Sequence, residues 1–163
     1  MLSKAALWAL LAGLVFGLTA VICSYLVLKD VVGDWQGMLV AAPLTAFFCG
    51  MVCWGIFVAR RQKVRFWRGV WVGALVALLS HPLVWYGSIL YFYLAGEPRT
   101  LNPIEGLWAS LVYGLLSLAF AGWLTVPAAA VTGGLLAYIQ TKIESRRERP
   151  PLNVGSSGPT LEE

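Results

Sequence analysis

Charge is what this sequence has least of. Only 12% of its 163 residues are Asp, Glu, Lys or Arg, against about 25% in an ordinary soluble domain, and within the long apolar runs the charges fall only near the ends. That excludes a water-facing surface over most of the chain. It also weighs against a proton-coupled carrier, which usually carries carboxylates or charged pairs inside the membrane. Histidine is limited to His81, so a haem held between two histidines of one chain is excluded, though His81 as a single axial ligand is not. The three cysteines, Cys23, Cys49 and Cys53, lie in apolar runs rather than loops, a poor setting for a disulfide framework. Cys49 and Cys53 share a helix face without further ligands beside them, so no metal site is expected. No glycine-rich phosphate loop, zinc signature, or Ser, His and Asp constellation occurs, and Asp30 and Asp34 fall near a turn. Neither enzymatic activity nor a cofactor is expected.

What is present is apolar: 59% of the residues are hydrophobic. In lipid the backbone must satisfy its own hydrogen bonds, so apolar runs of this kind predict helices. The first runs from about Ala5 to Leu28. It is longer than the apolar core of a secretory signal and reads as a spanning helix. The second, about Met38 to Ala59, carries Pro43 near its start, where a missing donor costs little. The third, Phe66 to Leu94, should be kinked at Pro82, and its far end is crowded with Trp85, Tyr86, Tyr91 and Tyr93, as at a membrane interface. The fourth, Ile104 to Lys142, is too long for one simple crossing, and a break or bend is expected between Gly122 and Pro127, after a tilted or interfacial stretch. The fold expected is therefore an all-α, polytopic membrane protein: a four-helix transmembrane domain over residues 1–149 and a disordered cytoplasmic tail over 150–163.

Basic residues fix the orientation. Lys4, Arg60, Arg61, Lys63, Arg65, Arg68, Lys142, Arg146, Arg147 and Arg149 lie at one end of the helices, and only Lys29 and Arg99 at the other. Both termini are expected in the cytoplasm. The short loops and this asymmetry suggest a bacterial inner membrane. The formal charge of +4 is explained by this topology, and nucleic acid is not an expected partner. Arg60, Arg61, Lys63, Arg65 and Arg68, interleaved with Phe66 and Trp67, are candidate contacts to lipid headgroups.

Small residues recur at intervals of four. Ala9, Gly13 and Gly17 mark the first helix; Ala46 and Gly50 the second; Gly69, Gly73 and Ala77 the third; Gly133 and Ala137 the fourth. Such stripes let helices approach closely in lipid. Offsetting the first helix onto the third superposes Gly13 on Gly73, and aligning Pro43 with Pro127 relates the second helix to the fourth. This is the pattern of a parallel duplication of hairpins.

His81 ends the third stripe. An ionisable group at membrane depth is a functional candidate by default, and His81, Ser80, Tyr86 and Tyr113 form the candidate intramembrane polar site. Ser117, Ser110 and Tyr25 are further possible partners for its ring nitrogens. Two functions fit. One is a non-enzymatic accessory, assembly or regulatory subunit whose stripes pack against itself, as a homo-oligomer, or against another membrane protein. The other is a small oligomeric permease for an ion or small molecule with His81 in the path.

Overall fold

Ser3 starts the first helix: its hydroxyl accepts the Ala6 backbone N–H at 3.2 Å, satisfying one of the donors a helix leaves free at its N-terminus. In the computed structural model, which describes residues 3–29, 36–59 and 65–147, this helix, α1, spans Lys4–Leu28. Helix α2 spans Gln36–Trp54 and finishes in a π-helical turn, Gly55–Ala59. Helix α3 spans Phe66–Leu94 and α4 Pro103–Arg147. All four are long and apolar enough to cross a membrane. Asp30, Asp34, Arg60, Arg61, Lys63 and the tail over 150–163 lie outside the described residues.

The α3–α4 loop is set by two local devices. Gly96 takes the left-handed conformation (φ +78°), and the Glu97 and Gly96 N–H groups return to the carbonyls of Phe92 and Tyr93, closing α3 with a Schellman turn. Asn102 then accepts the Ile104 and Glu105 N–H groups at 3.0 and 2.9 Å, and Pro103 follows at the first helical position, where its missing donor is harmless.

Two sequence expectations about prolines change. The second helix starts earlier than expected, so Pro43 lies two turns inside it. The fourth region is one continuous helix of 45 residues, so of the break or bend expected between Gly122 and Pro127 the break does not occur. Pro127 is exposed on the outside of the bundle, while Ala129 and Gly133, just beyond it, pack against α3. Contact on the inner face holds the helix together across the lost hydrogen bond. Helix α3 likewise continues through Pro82, which fits against Gly114 of α4, where an added Cβ would come within 2.9 Å of the proline nitrogen.

The helices follow one another around the bundle. The closest associations are within the hairpins α1–α2 and α3–α4; α2–α3 and α1–α4 touch less, and α1 stands diagonally from α3. Within each hairpin, glycines face backbone carbonyls. A Cβ on Gly13 would lie 2.8 Å from the Phe47 oxygen, and one on Gly17 would lie 3.3 Å from that of Pro43. Gly69 and Gly73 meet the carbonyls of Gly133 and Ala129 more closely still. The same device thus joins both hairpins, but its register pairs Phe47 with Ala129, whereas alignment on the prolines pairs Phe47 with Val131.

The buried core occupies the half of the bundle nearer the basic ends of the helices, here the basic end. Phe16 packs into the space left by Gly50 and lies 6.2 Å, ring to ring, from the fully buried Trp54. Val58, Val72, Val76, Leu136 and Ala137 complete it. Large apolar side chains such as Leu14, Leu18, Phe120 and Trp123 point outward, the arrangement expected where the surroundings are hydrocarbon rather than water.

Candidate functional site

At the midpoint of α3, His81 turns toward α4. Its Nδ1 lies 2.7 Å from the Ser117 hydroxyl and its Nε2 lies 3.0 Å from the Thr125 hydroxyl. Thr125 already donates its proton to the Ala121 carbonyl at 3.1 Å, so toward the ring it accepts. That makes Nε2 the protonated nitrogen of a neutral imidazole, with Nδ1 accepting from Ser117. Ser117 and Thr125 are two helical turns apart, with Ala121 between them on the same face. The imidazole therefore clasps two turns of α4 with both of its nitrogens.

The clasp forms one wall of a cavity of about 160 Å³ between the four helices. Phe16, Thr19, Ala20, Cys23, Ser24, Val27 and Leu28 line it from α1; Ala42 and Ala46 from α2; Val76, Ala77, Ser80, His81, Val84 and Trp85 from α3; Ser117, Ala121, Thr125 and Ala129 from α4. It runs from the last residue of α1 down to the core. Phe16, Val76 and Ala129 are buried at its floor, and below them the Gly69 to Gly133 contact leaves no space between α3 and α4. Every lining residue is uncharged.

Most of the polar atoms around the cavity are engaged. Ser80 donates to the Val76 carbonyl at 2.7 Å, and Thr19 donates to that of Val15 at 2.9 Å while standing 3.3 Å from Thr132 across the α1–α4 seam. Among the described residues that line it, Ser24, the Cys23 thiol and the Trp85 indole N–H have no hydrogen-bond partner.

Of the residues expected around His81, Ser80 shares its cavity without bonding to the ring. Tyr86 does not line the cavity. Tyr113 is exposed and packs its ring against Trp85, 5.2 Å between centroids. Ser110 is buried but bonds within its own helix, to Leu107, and Tyr25 is exposed. Thr125 escaped the sequence reading; the spacing Ser117, Ala121, Thr125 was its signal. So did Gln140, a buried side chain that accepts the Trp54 indole N–H at 3.2 Å and donates to Glu144 at 3.1 Å.

The stripe residues Ala9, Gly13, Gly17, Ala46, Gly50, Gly69, Gly73, Ala77, Gly133 and Ala137 are all buried inside the chain. Arg65, at the start of α3, is exposed; Arg68 borders a surface groove with Phe57, Trp71 and Leu75. Cys23, Cys49 and Cys53 are free and buried, and among the described residues no three His, Cys, Asp or Glu side chains come together as a metal site. No protein-family model, curated protein or solved structure matches the chain.

Proposed function

We propose that this chain is a small non-enzymatic permease whose substrate site is the cavity beside His81, with both termini in the cytoplasm of a cell whose inner membrane it spans. The observation that carries the reading is the cavity itself, which reaches a histidine at mid-helix from the end opposite the basic residues. Its position speaks for the same conclusion. It lies between two hairpins that are tightly closed within themselves and less closely joined to each other. In carriers built from repeats, the site lies near the bilayer midplane at the repeat interface, and access alternates as one repeat rocks against the other. The seam lined by Thr19, Ser80 and His81 is where such rocking would occur.

The accessory-subunit alternative rested on small-residue stripes and extra aromatics available for a partner, and on the lack of charge inside the membrane. The stripes are spent on contacts within the chain, so they no longer argue for a partner, while aromatics such as Trp71, Trp108 and Trp123 stay exposed.

The test is purification from the native membrane in mild detergent, followed by extraction and mass spectrometry. The expected result is a small molecule retained in stoichiometric amount by the wild-type protein and lost from A121L, which fills the cavity. A protein that retains nothing, and whose uptake by reconstituted vesicles is the same with and without A121L for every compound in the membrane extract, would overturn the reading.

A further inference from the structure

We infer that the occupant of this cavity is an uncharged molecule of about benzene to benzyl alcohol size, with an apolar body and one hydrogen-bonding group. The inference rests on the substrate-site reading above and adds the chemical class.

Size comes first. An apolar protein cavity of about 150 Å³ accommodates a benzene-sized molecule, and this one measures about 160 Å³. Charge is excluded by the lining. No Asp, Glu, Lys or Arg borders the space, and His81, the one ionisable imidazole there, already has both nitrogens committed to Ser117 and Thr125. An ion entering would give up its hydration with no counter-charge to replace it, which is costly in a low-dielectric interior.

The polar preference is set by what is left over. Thr19, Ser80, Ser117 and Thr125 each have a partner, whereas the Ser24 hydroxyl and the Trp85 indole N–H, both on cavity-lining residues, have none among the described residues. Ser24 lies one turn from the end of α1, nearer the mouth than Phe16 at the floor. The ligand therefore sits with its polar group toward Ser24 and Trp85 and its apolar body against Phe16, Val76 and Ala77. Toluene fills the same space without the polar contact, and benzoate and benzylammonium carry charge on the same frame.

The experiment uses the full chain in phosphatidylcholine nanodiscs, titrated with toluene, benzyl alcohol, benzoate and benzylammonium by ligand-detected NMR. A20L and A121L fill the cavity from opposite walls and serve as controls for partition into lipid, so one misfolded variant does not end the test. Expected is saturable binding of benzyl alcohol and toluene that both variants abolish, at about tenfold or greater preference over the charged pair. S24A should weaken benzyl alcohol severalfold and leave toluene unchanged. Equal or tighter binding of a charged probe at the same site, or no saturable binding of the neutral ones, overturns the inference. Uptake into proteoliposomes is read separately. Neutral binding without uptake upholds the ligand class and removes the permease reading; uptake that selects charged compounds does the reverse.

Discussion

Ser117 stands 2.7 Å from Nδ1 of His81, and the ring's other nitrogen meets Thr125 on the same helix. One side chain of α3 is thus fixed at two points to α4, and its neutral tautomer is decided by Thr125, whose own proton goes to Ala121. Removing either hydroxyl strands a half-buried ring nitrogen. Hydrogen bonds between membrane helices average about 0.6 kcal/mol and reach about 1.7. S117A and T125A are each expected to lose roughly 0.5 to 2 kcal/mol in reversible unfolding from mixed micelles, with T125S retaining most of the stability. A double-mutant cycle of H81L with S117A should show favourable coupling between the pair; additive effects would mean that the contact contributes nothing.

Gly73 and Gly87 lie on the same helix and should respond oppositely to alanine. A methyl group on Gly73 runs into the Ala129 backbone, which cannot move aside as a side chain can. Overpacking of this kind costs about 1 to 3 kcal/mol, so G73A should separate the second hairpin and sharply lower the thermal unfolding midpoint. Nothing lies within 4 Å of a Cβ on Gly87, and G87A should be neutral or stabilise by about 0.4 to 1 kcal/mol.

Trp54 and Gln140 tie α2 to α4 within the core. Replacing the amide alone leaves a fully buried indole N–H without an acceptor, a loss of about 1 to 3 kcal/mol. Q140L should therefore be less stable than the double variant W54F with Q140L, in which both polar groups are gone. The reverse order, measured by denaturant titration, would show that the indole finds another acceptor.

Sidedness is checked by labelling. The native cysteines are buried and should react slowly with a membrane-impermeant maleimide. Cysteine introduced at Glu97, exposed in the α3–α4 loop, should label from outside intact cells, and cysteine at Ser145, exposed near the end of α4, only after the membrane is opened. Labelling of both from the same side contradicts two-hairpin topology with both termini inside.

The third segment was legible residue for residue because its apolar run is bounded sharply, by Arg65 before it and the Gly96 turn after it. Pro127 shows where such reading stops. Its sequence signature predicts a break or bend, and the break does not occur: the ring faces outward and the inward face of α4 is held by α3 on the next turn, so tertiary contact overrides the local preference. The site was half legible for a similar reason. His81 is conspicuous as the one histidine in an apolar run, while its partners lie 36 and 44 residues away. Of its aromatic neighbours in sequence, Trp85, one turn on, lines the same cavity, whereas Tyr86 is placed by the helical turn on another face.

By itself the sequence determined that four apolar segments become helices, how their basic ends are gathered, and which faces carry small residues, because helix formation and hydropathy are properties of each segment alone. The tertiary structure decided which stripe meets which carbonyl, that α4 stays whole through Pro127, and that His81 engages Ser117 and Thr125 beside a cavity. Those outcomes depend on the rotation and register of one helix against another, and a slip of one residue turns a side chain about 100° around the helix axis, from a neighbour to lipid.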